Sequence, residues 1–341
     1  MDNFYEGKKV LIAGGAGLCG QALIGKLDFA GADIVATQWR SRKIDPLMAS
    51  LIEVVDNIDL RTAPVNQLKD LYSGKDIVFW AAAHVGGAKS IQDNASELIH
   101  YNLEMTARNI KAAVDSGVKR FTYISSSYAY PDLPHPAREE DVDIGDVPLV
   151  HYGLGWIKRY VETLCRHHHM TSGTKFALVR PTGIYGPHDS FNLETCHALP
   201  ALIKKFIDGP LPVQVWGNGQ EQRQWTYVDD LVDGLLAVTE NYCVADAVNI
   251  ASPEVHTVQD LVELIQAEIA PGRLLPPLLG YSASIENNYG FTGEGPQVIK
   301  DRLVDTSKAK RLLGFECKTS LKDGLQKTID WYKANYDARP S

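Results

Sequence analysis

One short segment near the start constrains this chain more than any other. Gly14-Gly15-Ala16-Gly17-Leu18-Cys19-Gly20 follows an apolar run, Lys9 to Ala13 (KVLIA), and leads into a helical stretch that runs to about Ala30 and is closed by Gly31. Gly14, Gly17 and Gly20 fit G-x-x-G-x-x-G. A pyrophosphate must come close to the backbone at a helix N-terminus, where unpaired N–H groups and the helix dipole attract negative charge. A side chain at those points would block it. Alone the motif also describes a merely tight turn. Between a strand and a helix, at the head of a strand–helix series, it points to dinucleotide binding.

That series is visible. Asp33 to Thr37, Ile52 to Val55, Asp76 to Trp80, Phe121 to Ser125 and Phe176 to Arg180 read as further strands. A helix from about Ala95 to Ser116 ends at Gly117. Strands alternating with helices imply parallel βαβ units. The later chain changes character, with Pro- and Gly-rich stretches, an isolated strand at Val213 to Trp216 and a helix start at Thr257 with Asp260 at its third position. Residues 271–300 are rich in Pro, Gly and Asn, and an amphipathic helix around Leu321 to Asn335 closes the chain. The expected fold class is α/β: a Rossmann, doubly wound parallel sheet with a smaller C-terminal α/β substrate lobe. Residues 1–180 and 225–252 are assigned mainly to the first lobe. Residues 181–224 and 253–315 go mainly to the second, and 316–341 to the terminal helix.

Composition removes several classes. At roughly 150 residues per domain, 341 residues suggest two lobes. Hydrophobic residues at 45% and charged residues at 22% exclude a disordered chain. A net charge of −8 argues against a nucleic-acid partner. No apolar run approaches the ~18 residues that span a membrane, and Met1 to Lys9 carries no signal-peptide pattern. Cys19, Cys165, Cys196, Cys243 and Cys317 are odd in number and far apart, so reduced thiols in a cytoplasmic protein are expected, with no disulfide framework and no metal. His167-His168-His169 reads as a solvated helix end, because successive helix residues point about 100° apart and cannot easily converge on one ion.

After Thr37 come Gln38, Trp39, Arg40, Ser41, Arg42 and Lys43, with three cations and no acid. An acid there suits the ribose 2′-hydroxyl of NAD, and a cation suits a 2′-phosphate. NADP(H) is favoured, NAD(H) is the alternative, and a solvated loop is the plain reading.

The loop and the later segments AAAHVGG (81–87), SSSYAYP (125–131), RPTGIYGPHDSF (180–191), CHALPALIKKF (196–206), VWGNGQEQRQWTYVDD (215–230) and DTSKAKRLLGF (305–315) resemble the extended short-chain dehydrogenase/reductases that act on nucleotide sugars. Within that family they are similar to the GDP-fucose synthases, which epimerise at C3 and C5 and reduce at C4. The likeness covers nearly the whole chain. It implies a nucleotide-sugar substrate, GDP-linked by preference, and a homodimer. By position, Ser126 matches the active-site serine that hydrogen-bonds the sugar C4 oxygen, and Lys158 the active-site lysine. His197 matches an acid/base of epimerisation, Arg223 the diphosphate clamp, and Asn102 an asparagine near the active centre. The likeness also implies Leu18, Asp59, Leu60 and Ala82 along the cofactor. It implies His84, Val85, Gly183 and Trp216 along the substrate.

The pattern breaks at one place. The family carries Tyr-x-x-x-Lys on a helix, where the ammonium lowers the phenol pKa and the phenol exchanges a proton with the sugar. Counting back four residues from Lys158 gives Leu154. Tyr152 is six residues away, about 240° around a regular helix. Two explanations stand. Gly153 and Gly155 let the chain loop before a late helix start, so that Tyr152 swings in. Otherwise the tyrosine is absent and Tyr128 replaces it, at the position where fucose synthases carry their epimerisation cysteine. Loss of that cysteine, and Gly183 in place of an asparagine, put ordinary double epimerisation in question.

The reading is an NADP(H)-dependent oxidoreductase/epimerase acting at C4 of a GDP-linked (deoxy)hexose, with or without C3/C5 epimerisation. One rival is a redox-neutral 4-epimerase holding NAD tightly, marked by unreleased cofactor and no need for a reductant. The other is a non-catalytic cofactor or nucleotide-sugar binder, marked by binding without turnover.

Overall fold

The structure is a computed structural model that describes residues 3–40, 42–84, 86–269, 288–296 and 298–336. Runs such as Val10–Ala13 and Ile77–Trp80 are buried along their whole length. Near-continuous apolar strands of this kind are covered on both faces, as parallel sheets are. Seven strands form that sheet: β1 (Lys9–Ala13), β2 (Asp33–Thr37), β3 (Glu53–Val55), β4 (Ile77–Trp80), β5 (Arg120–Ile124), β6 (Lys175–Pro181) and β7 (Ala247–Ile250). Their order is β3-β2-β1-β4-β5-β6-β7, every neighbour parallel. This is the doubly wound Rossmann arrangement. The order in which strands are added reverses between β1 and β4, where such sheets open a crevice at the carboxyl ends of their strands.

Helices cover both faces. On one, α1 (Leu18–Phe29) contributes Leu23, Ile24 and Leu27 to a buried cluster. On the other lie α2 (Val65–Tyr72), α3 (Ala88–Asp115) and α4 (Tyr152–Thr171), through Leu68, Ile110 and Val161 among others. Helix α3 starts at Ala88, earlier than Ala95, and its backbone breaks at Asn94. After β6 come α5 (Ala198–Asp208) and α6 (Val228–Asn241). Helix α6 returns to the sheet beside α1, through Leu231 and Leu235.

A second core holds Leu199, Ile203 and Phe206 of α5, Leu261 and Ile265 of α7 (Val258–Ile269), and Leu325, Ile329 and Tyr332 of α8 (Leu321–Tyr336). The strand Val213–Val215 is not isolated; it pairs in parallel with Tyr289–Phe291. Helix α7 opens with a reciprocal cap. Thr257 N donates to Asp260 Oδ2 at 2.8 Å, and Asp260 N donates to Thr257 Oγ1 at 3.0 Å. The histidine run at the end of α4 is more than a solvated end. His169 Nδ1 accepts from Phe176 N, and His168 stacks on Phe176.

A buried polar network ties the end of β5 to β6 and α4. Arg180 donates to both carboxylate oxygens of Glu162, at 2.8 and 2.6 Å, and to the Tyr130 hydroxyl at 2.9 Å. Ser125 Oγ donates to Glu162 at 2.6 Å, and Tyr130 donates to Asn249 Oδ1 at 2.6 Å. Each partner is satisfied, the condition under which buried charge is tolerated. The network fixes α4 one turn beyond Lys158.

Candidate active site

The glycine loop meets the crevice at the end of β1. Gly14 has φ +87°, and a Cβ there would lie 2.7 Å from the Ala82 backbone. Ala82 therefore forms the opposite wall of the loop. Gly14 N donates to Thr37 Oγ1 at 2.9 Å and Gly15 N to Thr37 O at 2.8 Å, tying the loop to the end of β2. Gly17 caps α1 without a side chain, so the first N–H groups of the helix have no side-chain acceptor. Gly20 packs against the Gly14 carbonyl, and Leu18 lies near Gly186. This cradle fits a dinucleotide pyrophosphate.

Beyond β2, Arg40 has φ +50° and stacks on Trp39, 4.9 Å from the ring centroid. Arg42 donates to the His188 carbonyl at 2.8 Å, and Lys43 pairs with Asp56. Of the three cations, only Arg40 is uncommitted to a hydrogen bond or ion pair among the described residues. Asp59 accepts from Arg61 N in a turn, and Leu60 is buried in the core. Asn102 clamps the strand-end loop on both sides of one residue: its Oδ1 accepts from His84 N at 2.9 Å and its Nδ2 donates to His84 O at 2.8 Å. The His84 ring is exposed and stacks on Tyr101. Val85 lies outside the described residues.

At the end of β5, Ser126 caps a short turn, Ser127–Ala129, its Oγ accepting from Tyr128 N at 3.1 Å. Its own hydroxyl proton stays available. Lys158 Nζ donates to the Ile124 carbonyl at 3.0 Å and sits 5.0 Å from the Tyr123 ring centroid. Burial lowers its pKa to about 8, against the opposing pull of Glu162.

The helix resolves the Tyr152 alternative. Helix α4 begins at Tyr152 and runs straight through Gly153 and Gly155. There is no late start. Tyr152 is 42% exposed and edges against Trp156, and on one continuous helix it stands six residues, about 240°, from Lys158. The two glycines serve close packing instead: a Cβ at Gly155 would run into the Tyr128 carbonyl, and one at Gly153 into Ile99. The sequence offered conformational freedom as the reason for these glycines, whereas tertiary contact demands them.

Tyr128 lies against the start of α4, its carbonyl beside Gly155. Its ring packs on His151, centroids 4.5 Å apart, and the Arg302 guanidinium lies 4.4 Å from its centroid. His151 is 6% exposed, and its Nε2 has no hydrogen-bond partner among the described residues. Burial, then the Arg302 charge, lowers its pKa to about 4. His197 is the N-cap of α5, open to the crevice yet crowded, and the same two causes lower its pKa. Arg223 donates to the backbone carbonyls of Gln222, Ile299 and Lys300. Burial and the neighbouring Arg302 lower its pKa to about 10. Arg302 Nε is buried without a partner among the described residues. Neither arginine forms an ion pair among the described residues. Two adjacent guanidiniums in this condition are suited to an anion. Gly183 lies against the Trp225 ring, and Trp216, 48% exposed, stands under Lys205 on the second lobe.

The structure thus gathers Tyr128, His197 and Arg223 around Arg302, ties Ser126 to the Tyr128 N–H, and brings Lys158 to the Ile124 carbonyl two residues before Ser126. Sequence reasoning missed His151, Arg302 and Asp189. His151 lies seven residues before Lys158, about two helical turns, and that spacing was a usable signal. Arg302 follows a Pro- and Gly-rich stretch with no motif. Asp189 is pushed up to about 7 by burial, its Oδ2 unpartnered among the described residues, near Cys19 at the start of α1.

A Rossmann sheet, a glycine cradle at its first turn and a lysine of α4 reaching the end of β5 define a dinucleotide-dependent enzyme of the extended short-chain dehydrogenase/reductase type. The chain belongs to the NAD dependent epimerase/dehydratase family, whose model matches residues 10–251. It is 28% identical to GDP-L-fucose synthase 1 of Arabidopsis thaliana over 332 residues, covering 96% of this chain and 94% of that protein. It is 27% identical to GDP-mannose 3,5-epimerase of the same plant, covering 96% and 83%. Among solved structures, an epimerase from Methanothermobacter thermautotrophicus has the same fold, with a TM-score of 0.81 at 24% identity, covering 98% of this chain and 95% of that one. A dTDP-glucose 4,6-dehydratase from Streptomyces venezuelae, solved with NAD bound, has a TM-score of 0.80 at 20% identity, covering 96% and 98%.

Proposed function

We propose that the protein is an NADP(H)-dependent nucleotide-sugar oxidoreductase/epimerase acting at C4 of a GDP-linked (deoxy)hexose. The observation that carries this reading is the pair Arg223 and Arg302. They have no carboxylate ion pair among the described residues and lie beside Tyr128 and His197, where a sugar diphosphate would be held between the two lobes. The relatives named for GDP-L-fucose and GDP-mannose support a GDP-linked substrate. Arg40, with no acid in the loop after β2, supports NADP(H) over NAD(H).

Bound in the cradle, the dinucleotide supplies or takes up a hydride at the sugar carbon. The chain does the rest. Gly14, Gly17, Gly20 and the α1 N-terminus hold the pyrophosphate, with Leu18, Asp59, Leu60 and Ala82 along the cofactor. Ser126 Oγ donates to the sugar C4 oxygen. Lys158 holds the nicotinamide ribose. His84, Gly183 and Trp216 line the substrate side. For epimerisation next to a C4 ketone, one group removes a proton and another returns one on the opposite face. Tyr128 and a neutral His197 are the two candidates, with Tyr128 as the acid.

A cytoplasmic setting agrees with five cysteines that are all free thiols, and no helix among the described residues is long and apolar enough to cross a membrane. A homodimer is supported by Tyr152, Trp156 and Tyr160, exposed four residues apart along one face of α4. A redox-neutral 4-epimerase with tightly held NAD is the second reading, favoured by the NAD bound in the solved S. venezuelae relative.

The test is a panel of GDP-, UDP- and dTDP-linked 4-keto and 4-hydroxy sugars with NADPH or NADH, followed by absorbance at the nicotinamide band. Stoichiometric NADPH consumption with a GDP-linked keto sugar is expected. Interconversion of C4 epimers with retained cofactor and no reductant would replace this reading with the second.

A further inference from the structure

We propose that Lys158 itself delivers the proton to the sugar C4 oxygen, taking over the task of the missing phenol. The inference rests on the reading above and deepens it.

The geometry begins with what surrounds Nζ. It is fixed by one hydrogen bond to the Ile124 carbonyl, two residues before Ser126. An ammonium has three N–H groups, so two remain for ligands. The helix position that would hold a phenol above it carries Leu154, which has no proton to give. Tyr152 is on the outer face of α4. The Tyr128 ring is engaged with His151 and Arg302, and its backbone N–H donates to Ser126 Oγ. Tyr123 lies beneath Nζ with its ring in the sheet core, 2% exposed. Outside the Glu162 network and the buried Tyr123, the proton-bearing side chains set around the end of β5 are Ser126, Ser127, Tyr128 and Lys158; a serine hydroxyl is far too weak an acid to act alone, and Tyr128, its ring held between His151 and Arg302, is the rival donor that the test below separates.

The groups facing Nζ are Tyr123 from β5 and Glu162 from its own helix. Glu162 is occupied by Arg180 and Ser125. Burial consequently dominates and brings the ammonium to about 8. General acids work best when their pKa lies near the operating pH.

In reduction, the carbonyl carbon of a 4-keto sugar accepts a hydride from a reduced nicotinamide dinucleotide. The C=O π pair moves to oxygen, and the oxygen takes a proton from Nζ. Lys158 is left as a neutral amine and regains its proton from water. In oxidation the same amine accepts the hydroxyl proton.

Two readouts test this. The first uses cofactor-free protein labelled with 15N-lysine, the Lys158 Nζ resonance being assigned by its loss in Lys158→Arg. A midpoint near 8 is expected; one near the ordinary 10.5 overturns the proposal. This measurement needs no substrate, so it stands apart from any failure of the functional reading. The second is the pH profile of kcat for reduction. Wild type loses activity with an alkaline limb near 8. Lys158→Arg keeps the charge but cannot release a proton, so turnover falls by about 10²-fold or more. Its thermal melting and dinucleotide affinity report whether it is folded. Adding Leu154→Tyr to that variant places a phenol four residues before the guanidinium on the same helix face. It should recover at least about tenfold of the lost turnover. No recovery in a folded, cofactor-binding double variant counts against an empty donor position. In Tyr128→Phe the alkaline limb keeps its midpoint, whatever happens to epimerisation. Disappearance of the limb in that variant would make Tyr128 the donor and overturn the proposal.

Discussion

Replacing His151 with phenylalanine tests the electrostatics of the sugar side directly. His151 is 6% exposed, its Nε2 has no partner among the described residues, and its pKa falls from 6.5 to about 4. Its charged form is therefore disfavoured in the folded state. Between about pH 4 and 6.5 the unfolded chain binds a proton that the folded chain refuses, so stability rises with pH across that window and falls on acidification. At 1.36 kcal/mol per pKa unit the whole effect is about 3 kcal/mol, of which about 2 kcal/mol is already lost at pH 5. Phenylalanine keeps the ring on Tyr128 and removes both the titration and the unsatisfied nitrogen, which by itself costs about 1–3 kcal/mol. Urea unfolding at pH 7.5 and pH 5 measures both. His151→Phe should be at least as stable as wild type at pH 7.5 and lose about 2 kcal/mol less on going to pH 5. Equal losses in the two proteins would show that His151 is not held neutral, and the account of the Tyr128–His151–Arg302 group would fail with it.

Two further outcomes follow from the same geometry. Arg302→Met should raise the KM for a nucleotide sugar by roughly tenfold or more, the scale of one charge-assisted contact of about 1.5–3 kcal/mol, and lower its dependence on salt. The initial-rate assay that finds KM unchanged would remove Arg302 from the anion site. Tyr152→Ser combined with Trp156→Ser and Tyr160→Ser should turn a dimer into a monomer by light scattering. The folded monomer should still bind dinucleotide, because these side chains face outward.

Much of the architecture was legible because its signals are local. The βαβ rhythm of KVLIA, DIVAT and DIVFW and the glycines at 14, 17 and 20 report backbone demands that neighbouring residues satisfy among themselves. Thr257 and Asp260 likewise cap their helix within four residues. The site was legible only in part. Ser126 and Lys158 flank Ile124, and this was readable from their place in motifs. The fate of the phenol was not. Gly153 and Gly155 look like a loop when only helix propensity is counted, yet the helix runs through them because α4 must approach Ile99 and the Tyr128 carbonyl.

The sequence by itself determined the doubly wound sheet, the dinucleotide cradle and the vacancy at Leu154, since each depends on order and spacing along one chain. Only the tertiary structure decided that Tyr152 faces outward, that His151 and Arg302 close on Tyr128, and that Lys158 is buried enough to become a weaker base. The physical reason is that orientation and pKa depend on neighbours brought from distant segments. Burial, and the charge of an arginine 151 positions after His151, have no counterpart in local pattern.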